Sequence, residues 1–257
     1  MTERTAVVVG GAGAIGEACG EALMAGGFRV AVADVDRAGA ERVASRLGAD
    51  AAVTIDVTSS DSVRSGLNGL ADRWGRMDVA VNLAAVAGPR VALHAYDDDE
   101  WSRIVDVNLT GTFRCLREQL RLMSRFGAGS VVVVSSVGAE IGFPEAAAYS
   151  TTKHALTGLV RSAAVEYAAH GVRVNAVLPG FVDTPFLRGR RTPAELERLA
   201  MAHPLGRLAM PGEVAAVVAF LASSASDFVT GSCYEVDGGF LAGRPLGAPA
   251  STASGRP

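Results

Sequence analysis

The sequence predicts an α/β protein built on a doubly wound parallel sheet of about seven strands, with helices on both faces. Short apolar runs alternate with helical patterns along most of the 257 residues, and this alternation is typical of βαβ units. Most of the runs, such as Ser130–Val134, are continuously apolar, as expected for strands that helices cover on both sides. The expected strands are 5–9, 28–33, 51–55, 78–82, 130–135, 172–178 and 233–236, and the expected helices are 14–26, 37–47, 60–74, 98–125, 147–169 and 211–223.

Composition predicts one domain and argues against nucleic acid as a partner. A chain of this length with 49% hydrophobic residues can bury a large core, so residues 1–242 are expected to form a single domain. Residues 243–257 are rich in Gly, Pro and Ser and predict a flexible C-terminal tail. The net charge is −3, and no basic cluster offers a surface for phosphates.

The sequence also predicts a cytoplasmic protein without a membrane anchor or a metal. The N-terminus has no signal-like pattern, and no apolar stretch reaches membrane-spanning length. Cys19, Cys115 and Cys233 are scattered, which fits free thiols in a reducing compartment and gives no metal-ligand spacing. The acidic run Asp97–Glu100 is explained by capping at a helix N-terminus.

A glycine-rich turn joins the first predicted strand to the first predicted helix. Gly11, Gly13 and Gly16 fit the spacing G-x-G-x-x-G, in which glycines let the backbone approach a pyrophosphate at the helix N-terminus. Strand, turn and helix follow one another in the order that a dinucleotide site requires. The predicted sheet is therefore of the Rossmann type.

Asp34 stands at the carboxyl end of the second predicted strand, 18 residues past Gly16. A carboxylate at this position accepts hydrogen bonds from the adenosine ribose and repels a 2′-phosphate. The sequence therefore favours NAD over NADP as the cofactor, although Arg37 nearby is a residue type that would favour the phosphate.

Tyr149 and Lys153 lie four residues apart on the fifth predicted helix, which places them about one turn apart on the same face. A lysine ammonium favours the phenolate and lowers a tyrosine pKa by roughly 1–3 units. Ser136, thirteen positions before Tyr149, supplies a hydroxyl from elsewhere in the chain. Together these groups predict proton transfer to or from a carbonyl oxygen.

These motifs together resemble the short-chain dehydrogenase/reductase family in its compact single-domain branch. The resemblance extends over about residues 5–240. Val9 stands where the family's glycine loop has a threonine, and Ala14 stands where it has the middle glycine. The order of the matching motifs is the family's order throughout.

The resemblance implies a role for each matching residue. Ser136, Tyr149 and Lys153 correspond to the catalytic serine, tyrosine and lysine, and the spacing favours Ser136 over its neighbour Ser135. Asn108 corresponds to the asparagine that holds a water in the family's proton relay. The implied cofactor-binding residues are Gly10, Gly11, Gly13, Ala14, Ile15 and Gly16 in the glycine turn, Asp34, Val35, Asp56 and Val57 on the adenosine side, Asn82 and Ala84 after the fourth strand, and Tyr149, Lys153, Pro179, Gly180, Val182 and Thr184 on the nicotinamide side.

The implied activity is an NAD-dependent oxidoreductase that interconverts a secondary alcohol and a ketone, with Tyr149 as acid and base. Residues between Phe181 and Pro204 are expected to cover the cleft. Solvation of Arg188, Arg190 and Arg191 is the favoured interpretation, and binding of an anionic substrate group by them is the alternative. Two alternatives stay open: an NADPH-dependent reductase of a 3-oxoacyl carrier-protein thioester, and a non-catalytic dinucleotide-binding sensor. The expected substrate-lining residues are Val86, Ser136, Phe143, Phe181, Phe186 and Leu187.

The helix predicted at 147–169 is apolar or small around most of its circumference. One face can pack on the sheet, and the remainder requires another cover. Together with the helix at 98–125 it predicts self-association. Members of the resembled family are commonly tetramers, so a homotetramer is expected.

Overall fold

The computed structural model describes residues 3–243, so residues 244–257 of the predicted tail lie outside the described residues. Seven strands form one sheet in the order β3-β2-β1-β4-β5-β6-β7, and every neighbouring pair is parallel. This confirms the predicted fold class. The strands are β1 (Arg4–Val9), β2 (Phe28–Asp34), β3 (Ala51–Thr54), β4 (Val79–Asn82), β5 (Gly129–Val134), β6 (Val172–Pro179) and β7 (Cys233–Val236).

Helices cover both faces of the sheet. One apolar core lies between the sheet and α3, α5 and α6, and contains Leu67, Leu116 and Leu156. A second core, with Leu23 and Leu221, lies under α1 and α9. The helices are α1 (Ala14–Ala25), α2 (Arg37–Leu47), α3 (Ser60–Trp74), α4 (Asp98–Val105), α5 (Gly111–Ser124), α6 (Ala147–Tyr167), α7 (Pro185–Arg188), α8 (Pro193–Met201) and α9 (Pro211–Ala222), with short 3₁₀ turns at 93–95, 137–139, 168–170 and 224–226.

The helix predicted at 98–125 consists of three successive segments. α4 passes into a π-helical turn, Asp106–Thr110, which passes into α5. Asn108 lies at the centre of this turn and is fully buried. A π turn widens the helix locally and is often found at functional sites. Helical periodicity predicts the length of such a helix but does not distinguish an i→i+5 turn within it.

Two short helices lie in the segment expected to cover the cleft. The Thr184 hydroxyl accepts a hydrogen bond from the Leu187 N–H and caps α7. Thr192 and Glu195 form a capping box at the start of α8, because each side chain accepts from the other residue's backbone N–H. Caps of this kind stabilise helices of only one or two turns.

The strand order places the chain's polar turns at one edge of the sheet. β1 lies between β2 and β4, so the order of strand addition reverses there, and ligands of doubly wound sheets bind at the carboxyl ends beside such a point. Within residues 3–243, no helix combines the length and apolar character needed to cross a bilayer. The same residues contain no cluster of three potential metal ligands.

Candidate active site

Ser136, Tyr149 and Lys153 meet in one cavity at the carboxyl edge of the sheet. Ser136 follows β5, while Tyr149 and Lys153 lie in the first two turns of α6. The Lys153 Nζ lies 5.5 Å from the centroid of the Tyr149 ring and donates to the main-chain oxygen of Val134 at 3.3 Å. Lys153 is also the only lysine in the chain.

The two serines after β5 have different partners. The Ser135 hydroxyl donates to the main-chain oxygen of Lys153 at 3.2 Å and so ties β5 to α6. The Ser136 oxygen accepts from the Gly138 N–H at 3.0 Å, which leaves its proton to be donated within the cavity, to the Tyr149 phenol or to a ligand. This geometry favours Ser136, rather than Ser135, as the hydroxyl that meets a substrate.

Burial perturbs both ionisable groups of the site. Burial raises the pKa of the Tyr149 phenol, and the Ser136 hydroxyl opposes that rise by hydrogen bonding. Burial also lowers the pKa of the Lys153 ammonium to about 8. The sequence predicts that the lysine lowers the tyrosine pKa. In the structure the Lys153 Nζ lies over the Tyr149 ring, and burial is the largest cause of the pKa shift of each group.

Asn108 holds a loop of the cavity wall. Its side-chain oxygen accepts from the Val86 N–H at 2.8 Å, and its Nδ2 donates to the Val86 oxygen at 2.9 Å. Nδ2 also lies 3.3 Å from the hydroxyl of Thr152 on α6. Both Nδ2 protons are therefore used within the protein, while the side-chain oxygen keeps a second lone pair. The acceptors left for a bound water are this lone pair and the main-chain oxygen, which also accepts from Thr112.

The N-terminus of α1 is open toward the strand ends. Gly13 is its N-cap residue, and no side chain of residues 3–243 caps it. The first N–H groups of a helix have no partner within the helix. A Cβ added at Gly13 would meet no protein atom within 4 Å, so there is room for a ligand. A pyrophosphate suits such a site by both charge and hydrogen bonding.

The other glycines of the turn are required by the fold around it. Gly10 has φ 79°, and a Cβ there would lie 2.4 Å from the Ala84 nitrogen. A Cβ on Gly16 would lie 2.5 Å from the Gly11 Cα. Ala14, which replaces a family glycine, starts α1 without a positive φ, so its methyl group is accommodated.

Asp34 is fixed at the end of β2 by main-chain hydrogen bonds. Its two oxygens accept from the N–H groups of Ala12 and Asp36, both at 3.0 Å. Each carboxylate oxygen keeps further acceptor capacity for a ribose hydroxyl. Arg37, the opposing signal in the sequence, instead donates to Glu41 at 2.8 Å.

The other predicted adenosine-side residues lie beyond β2 and β3, outside the cavity that contains Tyr149. Val35 is largely exposed, whereas Val57 is buried. The Asp56 carboxylate accepts from the N–H and hydroxyl of Thr58 at 2.9 and 2.7 Å. One Asp56 oxygen is therefore engaged in the turn, and the other is left for a ligand.

Asn82 and Thr184 have structural partners at positions predicted to bind cofactor. The Asn82 and Gln119 amides form a reciprocal pair with both bonds at 2.9 Å in the core. The Asn82 side chain is thereby used, and only its main chain is left at the strand end. Thr184 caps α7 through its oxygen but also lines the cavity, so its hydroxyl proton remains available.

The cavity of about 650 Å³ joins the predicted nicotinamide and substrate residues. Its lining is mainly apolar, with Ser136, Tyr149 and Lys153 as polar groups of the inner wall. All six predicted substrate-lining residues line it: Val86, Ser136, Phe143, Phe181, Phe186 and Leu187. The predicted cofactor residues that line the same cavity are Ile15, Tyr149, Lys153, Pro179, Gly180, Val182 and Thr184.

Sequence reasoning missed the loop 87–90 and, on the inward face of α8, Glu195 and Arg198, whereas Leu199 is predicted as an apolar contact of the cleft. Arg90 follows three small or turn-forming residues that carry no chemical signal of their own. Glu195, Arg198 and Leu199 share the i, i+3, i+4 spacing of one helix face, and all three line the cavity. That spacing identifies a face, but only the tertiary structure shows what it faces.

A parallel sheet with an open helix N-terminus and a Ser–Tyr–Lys group beside it defines a nucleotide-dependent oxidoreductase. Comparison with known proteins agrees. A family model described as enoyl-(acyl carrier protein) reductase matches residues 10–241. The chain belongs to the short-chain dehydrogenase/reductase family.

Two curated relatives and one solved structure are similar over nearly the whole chain. The cis-4-hydroxycyclohexanecarboxylate dehydrogenase of Sinomonas cyclohexanicum is 44% identical over 94% of this chain and 98% of its own. The 2,5-dichloro-2,5-cyclohexadiene-1,4-diol dehydrogenase of Sphingobium indicum is 39% identical over 94% and 98%. The crystal structure of levodione reductase is 30% identical, with a TM-score of 0.91 over 95% of this chain and 100% of that one. The protein is thus an oxidoreductase that interconverts a secondary alcohol and a ketone, with a nicotinamide dinucleotide as cofactor.

Proposed function

We propose that this protein is an NAD-dependent dehydrogenase that oxidises a secondary alcohol on a six-membered carbon ring. The observation that carries the proposal is the shared cavity, in which Ser136, Tyr149 and Lys153 meet a mainly apolar lining near the open N-terminus of α1. The ring is inferred from the names of the two relatives, which describe cyclohexane and cyclohexadiene alcohols.

The two alternatives have less support. A reductase of carrier-bound thioesters would need a basic surface for an acidic carrier, and the net charge of −3 offers no such excess. A non-catalytic sensor has no chemical need for a serine, a tyrosine and a lysine together at one cavity wall.

Each polar group of the inner wall has a distinct part in the proposed reaction. A bound NAD supplies the acceptor for the hydride that leaves the carbinol carbon. Tyr149, as phenolate, takes the hydroxyl proton, and the Ser136 hydroxyl donates to the substrate oxygen and holds it in place. Burial by itself disfavours the phenolate, so the reaction needs the positive charge of Lys153 to stabilise it. Such acid–base assistance contributes roughly 10²–10⁴-fold to the rate.

The preference for NAD over NADP rests on Asp34 and Arg37. The Asp34 carboxylate is held by two main-chain N–H groups, so it cannot swing away from a ribose that binds beside it. A 2′-phosphate there would meet a fixed like charge. Arg37 is paired with Glu41, which reduces its value as a partner for that phosphate.

The test is titration of the full-length protein with NADH and NADPH, followed by nicotinamide fluorescence. We expect NADH to bind at least tenfold more tightly, which corresponds to about 1.4 kcal/mol. Asp34→Asn should narrow the ratio between the NADPH and NADH dissociation constants, because the negative charge is lost. The amide oxygen can keep only one of the two main-chain hydrogen bonds that Asp34 accepts, so thermal denaturation checks that the variant is folded. Asp61→Asn, the same change at an exposed position of α3, is the control. Tighter binding of NADPH by the wild-type protein would refute the NAD assignment.

Turnover is tested with cyclohexanol and NAD, by absorbance of the reduced nicotinamide. Oxidation that depends on Tyr149 supports the proposed activity. Failure to oxidise any six-membered ring alcohol, with either dinucleotide, would contradict it.

We also propose a homotetramer in the cytoplasm. The tetramer is suggested by apolar side chains on the outward faces of α5 and α6, where Phe113 is 43% and Val165 82% exposed. The cytoplasm is suggested by three free cysteines, because free thiols persist in a reducing compartment. Burial raises the pKa of Cys19 and of Cys115 to about 12, so neither thiol is suited to chemistry.

A further inference from the structure

Three arginines line the outer wall of the active-site cavity, on the segment from α7 to α8. We propose that Arg190, Arg191 and Arg198, here called the wall arginines, bind a carboxylate carried by the substrate. The substrate class would then be ring alcohols that bear a carboxylate away from the reacting carbon. This inference rests on the proposed function, because it names the substrate of that same site.

Two of the wall arginines have partners within the protein, while Arg190 and Arg198 are exposed to solvent and also line the cavity. The Arg190 guanidinium stacks on the Phe186 ring at 4.3 Å from its centroid, and Phe186 itself lines the cavity. Arg191 is half-buried, and its Nη1 donates to the Arg190 main-chain oxygen at 3.4 Å. Arg198 lies on the inward face of α8, next to Leu199. Stacking and partial burial reduce the freedom that a guanidinium loses when it binds an anion.

The charge of the wall arginines is not neutralised by ion pairs. Among residues 3–243, no carboxylate lies within ion-pair distance of any of them, in contrast to Arg188, which binds both oxygens of Asp183 at 2.5 and 2.7 Å. Arg90, on the facing loop, is paired with Glu145 at 3.4 Å. The wall arginines therefore differ from the arginines around them.

Glu195 is the acidic residue of the cavity lining, and one of its carboxylate oxygens is engaged at the N-terminus of α8. One oxygen accepts from both the N–H and the hydroxyl of Thr192, at 2.8 and 3.0 Å. These hydrogen bonds, followed by the charges of Arg191 and Arg198, hold the pKa of Glu195 below its ordinary value. Three cations thus face one anion, a local positive excess in a chain of net charge −3.

A carboxylated ring matches this arrangement of polar and apolar surface. Ser136 and Tyr149 can meet an alcohol in this cavity, and the wall arginines line the same cavity with guanidinium groups, whose planar fork matches a carboxylate. Apolar side chains line the same cavity and can contact a hydrocarbon ring: Phe143, Phe181, Leu187 and Leu199.

The first test measures binding without turnover. The full-length protein, saturated with NAD, is titrated by calorimetry with cyclohexanecarboxylate and with its neutral isostere cyclohexanecarboxamide. We expect the acid to bind about tenfold or more tightly than the amide, as charged hydrogen bonds would give, and added salt should reduce that ratio. Equal affinity would overturn the proposal.

Variants that remove charge test whether the wall arginines cause the preference for the carboxylate. We expect a smaller ratio between the affinities for the acid and the amide in each of the single variants Arg190→Gln, Arg191→Gln and Arg198→Gln. In the triple variant this ratio should be close to one. Arg188→Gln removes the same charge from the same segment but from a residue paired with Asp183, so it should leave the ratio unchanged. A ratio that survives in the triple variant would place the carboxylate elsewhere and overturn the proposal.

Kinetic measurements with an acidic and a neutral ring alcohol distinguish failure of the carboxylate site from failure of the proposed dehydrogenase activity. For 4-hydroxycyclohexanecarboxylate, the wall variants should raise KM at least tenfold more than they raise KM for cyclohexanol, with little change in kcat for the acid. Oxidation of cyclohexanol with no preference for the acid would refute the anion site and retain the dehydrogenase. Binding of the acid through the wall arginines without oxidation of any ring alcohol would retain the site and refute the dehydrogenase.

Discussion

Lys153 is the single lysine in a chain whose other strongly basic side chains are arginines. Arginine supplies the charge in the surface ion pairs and keeps its proton, whereas a lysine shifts its pKa readily when it is buried. Lys153 is buried over the Tyr149 ring. We therefore propose that the site uses lysine here because its ammonium can titrate beside the phenol.

The pKa of Lys153 can be measured directly because no other lysine contributes a signal. Protein with ¹³C-labelled lysine should give one Cε resonance that titrates with a midpoint of about 8, since burial disfavours the ammonium. The same sample in denaturant is the control and should titrate near 10.4. A folded-state midpoint at the denatured value would show that the group is hydrated.

The same shift predicts a pH dependence of stability. Between about 8 and the ordinary value of 10.5, the unfolded state holds a proton that the folded state has lost, so the free energy of unfolding rises with pH across that window. Below about pH 8 both states are protonated, and the contribution is constant. Urea denaturation of the wild type and of Lys153→Met at several pH values checks this, because the variant should lack that part of the rise. Identical slopes in the two proteins would contradict it.

The proton-transfer roles are tested by removing one oxygen atom at a time. Tyr149→Phe should lower kcat/KM for the alcohol by about 10²–10⁴-fold or more while NADH binding remains, because the ring is kept. Ser136→Ala should also lower it, whereas Ser135→Ala should have a small effect, since that hydroxyl bonds to the main chain of α6. Steady-state kinetics gives kcat/KM for each variant. Equal decreases of kcat/KM in the two serine variants would count against the assignment of Ser136.

At the scale of the element, different glycines of the glycine turn are expected to serve folding and ligand binding. Gly13→Ala introduces a methyl group into open space above the first turn of α1, so stability should be preserved while dinucleotide binding weakens by about tenfold, or about 1.4 kcal/mol. Gly10→Ala introduces a Cβ at φ 79° and 2.4 Å from Ala84. Its cost should be about 1–3 kcal/mol of folding free energy.

Thermal denaturation and NADH titration of both variants make the comparison. A large loss of stability in Gly13→Ala, or none in Gly10→Ala, would show that the two glycines have been assigned the wrong way round.

His203 connects α8 to the turn that follows β6. Its Nε2 accepts from the Phe181 N–H at 3.2 Å, and its Nδ1 lies 2.7 Å from the Leu199 oxygen. The main-chain partners fix the neutral tautomer, because one is only a donor and the other only an acceptor. This imidazole joins the end of α8 to the turn after β6, so the wall and the turn are expected to move together.

At the scale of the whole molecule, the proposed tetramer predicts a change in mass when its contact surface is altered. Sedimentation equilibrium at micromolar concentration should give four chains for the wild type. Phe113→Asp and Val165→Glu place charge on the outward faces of α5 and α6 and should give smaller species, because a buried unpaired charge is costly. Leu93→Glu, which alters an exposed residue of a loop, is the control. A wild-type monomer would refute the proposal.

The match between sequence and structure is closest where the physics is local. Each of the seven strands lies within two residues of its predicted bounds, because continuous apolar runs between turns leave few other arrangements. The six predicted substrate-lining residues all reach the cavity, since strand ends of a parallel sheet converge at one edge. The π turn at Asn108 and the pairing of Asn82 with Gln119 leave no periodic signal.

The sequence by itself determined the order of strands and helices, the glycine turn and the Ser–Tyr–Lys spacing, because these depend on neighbours along the chain. Only the tertiary structure decided that burial raises the pKa of Tyr149 and lowers that of Lys153, and that Arg188 is paired while Arg190 faces the cavity. Loss of water and ion pairing depend on residues that are close in space but distant in sequence. Arg188, Arg190 and Arg191 therefore cannot be told apart from the sequence, and only the folded chain shows which of them is paired.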